Sequence, residues 1–413
     1  MYNRSLHRFA LLTAAATLAL LGAGGLVTSH GVGLAVPDWP NSFGYNMFFF
    51  PVSRWVGGIF YEHAHRLVAA GVGLMTAVLA LWLHGRNVRG FMRGIGLTLI
   101  LLGIGLGLAA PRHRLDGMVV GLAGAFCSGA SFVWPGCEPG SRGLRRLGLV
   151  AFLAVVLQGL LGGLRVVLIK DELGIFHAAL AQLFFVSVCV LGLVTSRWWQ
   201  ARGLTVEARG MTGEVQSPGA LRWLLLATTL VVFGQLVLGA TMRHQHAGLA
   251  IPDFPLAYGK LWPATDPASL ARYNQQRLEI TALNPITASQ IAMQMVHRLF
   301  AASIFLGIAF CAWATRRRFG AKNVLSRLSL VWLGLVSGQG LFGAATIWTN
   351  KAADIATIHV LVGALLLAVG AILTIVSIRE FRLYRPKATP LEATEAASQL
   401  LFGRHYPAAA NIQ

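Results

Sequence analysis

The sequence GLAVPDWP at residues 33–40 returns as GLAIPDFP at residues 248–255. Each copy of this motif is followed by an apolar segment that carries a His-Arg pair near its start. The first pair begins at His65 and the second at His297. The same order of features therefore occurs twice, and this repeat decides how the rest of the chain is interpreted.

Two further features follow each His-Arg pair in the same order. Gln-Gly-Leu-x-Gly begins at Gln158 in the first half and at Gln339 in the second. A lone histidine then opens another apolar segment, at His177 and at His359. The repeat predicts a duplicated bundle with two equivalent histidine pairs, and hence two equivalent ligands.

The composition predicts an all-α polytopic membrane protein. Of the 413 residues, 55% are hydrophobic and only 12% are charged. A bilayer core needs about 20 consecutive apolar residues for each helix that crosses it. The sequence predicts ten spans, near residues 9–29, 59–83, 93–110, 117–134, 146–168, 173–195, 220–242, 290–314, 325–347 and 355–378.

The formal charge of +19 indicates topology rather than nucleic-acid binding. With the N-terminus inside, most lysines and arginines fall on one side of the membrane, which is the positive-inside pattern. These include Arg86, Arg89, Arg93, Arg142, Arg145, Arg146, Arg316, Arg317, Arg318, Arg379 and Arg382. Both termini are expected in the cytoplasm, with the basic loops against anionic lipid headgroups. No Arg-rich, Ser-rich transit segment is visible, which favours a bacterial plasma membrane.

The halves differ by an insertion. The two histidines lie 112 residues apart in the first half and 62 in the second. The extra residues, about 92–145, suit two short helices, and an even number of helices preserves the orientation of the chain that follows. We therefore predict two parallel repeats of a four-helix transmembrane bundle, with two extra helices in the first. The alternative is a hairpin that enters the membrane without crossing it.

These arguments divide the chain into four parts. Residues 1–196 form the N-terminal bundle with its inserted hairpin, and residues 197–219 form a cytoplasmic linker. Residues 220–387 form the C-terminal bundle, and residues 388–413 form a mobile cytoplasmic tail.

The four repeat-matched histidines point to heme iron. Neutral imidazole is a good axial ligand, and two on facing helices can clamp a porphyrin inside a bundle. His65 and His177 would form one pair, and His297 and His359 the other. A single such histidine is more commonly interfacial or hydrogen bonded, but four at matched positions favour the ligand role.

One asymmetry suggests which half carries chemistry. Glu62 lies three residues before His65, whereas Gln294 occupies the same place before His297. An ionisable residue in a low-dielectric site is a candidate acid, base or charge stabiliser. The alternative is a surface glutamate satisfied by water and the helix dipole. The difference predicts that the first half reacts and the second half only holds a cofactor.

Arg66 and Arg298 directly follow the predicted ligands. Arginine forks suit carboxylates, and heme propionates are carboxylates, so both residues are candidate propionate contacts. Snorkelling to lipid headgroups, or structural pairing with Asp38 or Asp253, is an equal alternative.

Taken together, these motifs resemble the heme A synthase family over nearly the whole chain, apart from the insertion and the tail. The resemblance implies oxidation of a heme O methyl group to a formyl group through two successive hydroxylations. It implies that His65 and His177 flank the substrate heme, that His297 and His359 bind a heme b cofactor, and that Glu62 is the essential acid. Many bacterial members carry a cysteine pair in the first outer loop, and residues 36–43 contain none.

The resemblance also implies partners, namely heme O as substrate and membrane lipid as surroundings. Heme O synthase, oxidase assembly factors or a second copy of the chain are candidate protein partners, and no nucleic acid is expected. The main rival function is a non-catalytic diheme b-type electron carrier, which has no need for Glu62. A transporter with parallel repeats is disfavoured because the matched polar groups cluster at the outer edge, not at the midplane.

Overall fold

The computed structural model describes residues 2–109, 114–135, 138, 140–201, 219–276 and 285–383. Within these ranges the chain is helical, with isolated β-bridges but no β-strand. The α-helices are α1 (Arg4–Ser29), α2 (Gly57–His84), α3 (Arg89–Ala109), α4 (Arg114–Val133), α5 (Arg142–Leu168), α6 (Asp171–Thr195), α7 (Gly219–His244), α8 (Pro267–Gln275), α9 (Ala288–Phe319), α10 (Val324–Trp348) and α11 (Ala353–Leu383).

Nine stretches of the described chain are long and apolar enough to cross a membrane. The sequence predicts ten, and the difference lies in the first half. Residues 57–109 run as one 53-residue stretch. A 3-10 turn at Gly85–Val88 divides this stretch into α2 and α3, because the chain tightens there without an intervening loop. The all-helical membrane class is confirmed.

Polar side chains fix where several helices begin. Asn3 accepts a hydrogen bond from the backbone N–H of Leu6 at the start of α1. Thr287 and Gln290 form a reciprocal capping box at the start of α9. Such caps satisfy backbone donors that have no partner inside the helix, so they set the first turn in place.

Helices α1, α2, α5 and α6 pack in a closed ring, each against two neighbours. Their shared core includes the fully buried Leu79, Val188 and Leu191. Helices α7, α9, α10 and α11 form a second ring in the same manner. There Trp332 is fully buried, and its indole N–H donates to the carbonyl of Leu366 at 2.8 Å. The site histidines are carried by helices of these two rings.

The two rings are in direct contact. Helix α11 packs against α1 and α6, and α7 packs against α6. Phe185 of α6 is buried against Ala364 and Ala368 of α11. Small residues on one helix allow the backbones to approach, so the rings share an apolar interface.

The inserted helices α3 and α4 pack tightly on each other. A Cβ on Gly103 would lie 2.5 Å from the backbone carbonyl oxygen of Gly117, so glycine is required at this crossing. At the start of α4, Asp116 accepts a hydrogen bond from the side chain of Asn46 at 3.0 Å. Asn46 belongs to the loop before α2, whereas α3 starts at the far end of α2. The hairpin therefore runs the length of α2, which favours crossing over re-entry.

Several expectations fall outside the described residues. These are the hairpin tip at 111–113, most of the predicted linker 197–219 and the whole tail 388–413. Of the four cysteines, Cys127, Cys189 and Cys311 are free, and Cys137 lies outside the described residues. The predicted polar loop at 243–289 contains α8, whose first turn is capped by Asp266.

Candidate functional site

A single cavity of about 1950 Å³ is lined by residues of both rings. All four predicted histidines line it, and so does Glu62. Ligand pockets in proteins usually measure about 300–1,000 Å³. The cavity therefore has room for more than one large ligand, and it connects the two histidine pairs.

Each histidine ring lies edge-on against a glycine of a neighbouring helix. A Cβ added to that glycine would lie only 3.0–3.4 Å from the imidazole Cε1 atom. The four contacts are Gly24 with His65, Gly162 with His177, Gly239 with His297, and Gly343 with His359. The matched glycines let the helices approach closely and restrict the orientation of each imidazole. Both histidine pairs are therefore built in the same way.

Each of the four histidines has a buried Nδ1, and the Nε2 of His359 lies 3.5 Å from Gln339 Nε2. Within the described residues, the Nδ1 atoms of His65, His177, His297 and His359 are buried without a hydrogen-bond partner. His65 and His177 lie on α2 and α6 of the first ring, and His297 and His359 lie on α9 and α11 of the second, so each pair comes from two different helices of one ring.

The described residues contain no cluster of three or more His, Cys, Asp or Glu that could hold a free metal ion. Each ring brings two imidazoles to the large cavity, each beside a glycine, and imidazole is a usual ligand of heme iron.

Glu62 is buried, with only 4% of its surface exposed. Its Oε2 accepts a hydrogen bond from the backbone N–H of Val36 at 2.9 Å, and its Oε1 lies 2.6 Å from Arg66 Nη2. The predicted alternative of a water-satisfied surface glutamate does not match this environment. The carboxylate is held by the repeated motif and a buried cation, and it faces the cavity.

Gln294 takes the equivalent place in the second ring. Its Oε1 accepts from the backbone N–H of Ile251 at 2.7 Å, and Ile251 corresponds to Val36 in the motif. Its Nε2 donates to the carbonyl of Ile251 at 3.2 Å. The two halves thus share one hydrogen-bonded frame, and they differ in the charge at this position.

Arg66 and Arg298 each stabilise the turn that contains one copy of the repeated motif, by donating to backbone carbonyls. Arg66 donates to the carbonyls of Val36, Asp38 and Asn41, at 2.7–3.1 Å, as well as to Glu62. The Asp38 carboxylate accepts from two backbone N–H groups of its own turn, so Arg66 pairs with its carbonyl only.

Arg298 likewise donates to the carbonyls of Asp253 and Leu256. Both arginines line the cavity. Their contact with propionates stays a prediction.

His63 is fully buried, so it is not an interfacial histidine. Its Nδ1 lies 3.1 Å from the Ser42 hydroxyl, and its ring packs between Phe50 and Trp55. It supports the first outer loop and does not line the cavity.

Sequence reasoning missed several residues of the site. Gln158 Nε2 donates to the carbonyl of His177 at 2.8 Å, and Gln235 Nε2 donates to that of His297 at 2.9 Å. The repeated motif contains Gln158 but does not indicate this bond, and Gln235 has no glutamine at its equivalent position in the first half. Gly24 and Gly239 could have been found, since each lies nine residues before its copy of the motif.

Comparisons with known proteins identify the relatives of this chain. Residues 112–371 match the COX15-CtaA family, described as cytochrome oxidase assembly proteins. The chain is 25% identical over 406 residues to a heme A synthase of Geobacillus kaustophilus, covering 97% of this chain and 99% of the relative. A heme A synthase of Lysinibacillus sphaericus is 22% identical over 367 residues, covering 88% and 92%. One from Methylobacterium radiotolerans is 29% identical over 265 residues, covering 60% and 64%.

Proposed function

The chain belongs to the COX15-CtaA family of cytochrome oxidase assembly proteins, and on that premise we propose that it is a heme A synthase. It oxidises a methyl group of heme O to a formyl group by successive hydroxylations. The observation that carries this proposal is the asymmetry of the cavity. Both rings present a histidine pair, and only the first adds a buried carboxylate, Glu62.

We infer that the two rings are parallel repeats of a four-helix bundle. The shared hydrogen-bonded frames of Glu62 and Gln294, and the four matched glycine–histidine contacts, support this architecture. The basic residues at one end of the helices support cytoplasmic termini in a bacterial plasma membrane.

In the second ring, His297 and His359 would hold heme b. When bound, heme b supplies one-electron redox chemistry. Gln235 orients the turn of α9 that carries His297, through its bond to the His297 carbonyl. The uncharged Gln294 keeps the frame without adding an acid, which suits a half that binds a cofactor without reacting.

In the first ring, His65 and His177 would flank the substrate heme and orient it. Glu62 would stabilise charge that develops at the reacting methyl carbon, or move protons there. Arg66 lies 2.6 Å from the Glu62 carboxylate, and the Val36 N–H donates to it, so both contacts fix its position. The site thus supplies a preorganised acid–base group beside the porphyrin.

Heme extraction from cells that produce heme O tests this function. Cells with the protein should yield formyl or hydroxymethyl heme, and cells without it should yield heme O only. Heme b bound to the purified protein, with heme O unchanged in those cells, would overturn the synthase proposal and leave a diheme electron carrier.

The proposal includes partners that act before and after this reaction. A heme O synthase would supply the substrate, and oxidase assembly factors would accept the product. A second copy of the chain is a further candidate partner.

A further inference from the structure

The cavity carries an excess of positive charge. Among the described residues that line it, the carboxylates are Glu62 and Asp171. The permanently cationic side chains are more numerous: Arg66, Arg165, Arg243, Arg298 and Lys351. Arginine side chains pair well with carboxylates, so such a cavity is suited to anionic ligand groups.

Arg243 reaches from the second ring into the first. It lies in the last turn of α7, and its Nη2 donates to the carbonyl of Gly25, at 2.7 Å, and to the hydroxyl of Ser29, both on α1. Its Nη1 and Nε make no hydrogen bond within the described part of the chain, and neither atom is fully buried. One edge of the guanidinium is therefore anchored to α1, and the other is free in the cavity that His359 also lines.

In the first ring, the cavity is lined by another arginine, Arg165, which does not match Arg243 in the repeat. It lies in the last turn of α5, and one guanidinium nitrogen would lie 2.8 Å from a Cβ added to Gly33 of the motif. It lines the cavity together with His65 and His177. Within the described residues, no carbonyl or carboxylate accepts a hydrogen bond from its guanidinium. The Arg165 side chain is half-buried and lines the cavity.

The arginines that follow the histidines are less available. Arg66 already uses Nη1 and Nη2 in four hydrogen bonds to the protein. Arg298 uses both terminal nitrogens on carbonyls, and its Nε is buried. A guanidinium has five N–H donors, so each has few left for a ligand.

We propose that Arg165 and Arg243 bind the propionate carboxylates of the porphyrins, Arg165 in the first ring and Arg243 in the second. This inference rests on the proposed function. Because Arg243 also holds α1, it would tie occupancy of the second ring to the position of a first-ring helix. Guanidinium–carboxylate pairing is directional, so these two residues would also set the rotation of each porphyrin between its histidines.

Binding of heme b and of heme b dimethyl ester to the heme-free full-length protein tests the assignment. The ester keeps the iron and the ring and lacks the carboxylates. Wild type should bind heme b more tightly than the ester, as measured by titration of the Soret absorption. Arg243→Gln should lower heme b affinity about tenfold to a hundredfold, the effect of one charged hydrogen bond, and leave ester affinity unchanged.

Two further variants separate binding from structure. Ser29→Ala removes one anchor of Arg243 on α1 and should keep the preference for heme b. Arg298→Gln should keep it as well. If Arg243→Gln lowered the affinities for heme b and for the ester equally, Arg243 would have a structural role only. If Arg298→Gln abolished the preference for heme b over the ester, propionate binding would be assigned to Arg298 instead.

The same comparison with heme O and its dimethyl ester tests Arg165. Arg165→Gln in a His359→Ala background, which confines binding to the first ring, should lose the preference for the free carboxylates. Retention of that preference would overturn the Arg165 assignment. Failure of wild type to bind any heme would overturn the proposed function itself, whereas heme binding without ester discrimination would overturn only the propionate assignment.

Discussion

Replacing Glu62 by glutamine removes the charge that distinguishes the two halves and keeps the shape. The second ring shows that glutamine fits this frame, because Gln294 accepts from Ile251 N–H at 2.7 Å just as Glu62 accepts from Val36 N–H at 2.9 Å. The variant loses the 2.6 Å charge-assisted bond with Arg66, which retains its three carbonyl acceptors. We expect folding stability to fall by about 1.5–3 kcal/mol.

The expected loss of activity is larger than the loss of stability. A positioned acid or base contributes about 10²–10⁴-fold to rate, which corresponds to about 3–5 kcal/mol of activation free energy. The assay measures oxidised heme formed per molecule of purified protein in cells that produce heme O. Heme b content, read from the absorption of the same preparation, shows whether the second ring stays intact.

The matched control is Gln294→Glu, which places a carboxylate in the second ring. We expect it to leave product formation in the first ring near the wild-type level. A Glu62→Gln protein that forms product at the wild-type rate would refute the acid–base role. Loss of heme b together with product would instead assign the effect to the stability of the fold.

Three other outcomes follow from particular contacts. His359→Ala should remove the heme b absorption while the chain remains folded, as judged by its thermal unfolding. Gly24→Ala puts a Cβ 3.0 Å from His65 Cε1 and should lower product formation by up to about 100-fold, whereas Gly71→Ala, in open space, should not. Burial and the neighbouring Tyr273 raise the pKa of Tyr258 to about 12, so its neutral form stabilises the folded loop fully below pH of about 10. Thermal unfolding should show this stability being lost as pH rises from about 10 to 12. Tyr258→Phe should remove this pH dependence of the unfolding temperature.

The repeat made much of the fold predictable. Apolar length and the positions of charges are local properties, and they located the spans, including the inserted pair. The boundary between α2 and α3 was less accurate, because a 3-10 turn continues a helix without the polar loop that marks an end in sequence.

The candidate site was predictable only where the repeat marked it. His65, His177, His297 and His359 stand at matched positions, and the difference between Glu62 and Gln294 is visible in the sequence alone. Gly162 and Gly343 end the two copies of the Gln-Gly-Leu-x-Gly motif. Their contact with histidine edges needed the structure, since it depends on how two helices cross.

What the sequence determined by itself is the class of protein, the duplication and the residues that both halves repeat, because these depend on composition and spacing along one chain. Only the tertiary structure decided that both histidine pairs line one cavity, that Arg66 braces the motif turn, and that Arg243 crosses from the second ring to α1. Arg243 follows no repeat and contacts residues more than two hundred positions away. Such contacts depend on the packing of distant helices, which no local pattern encodes.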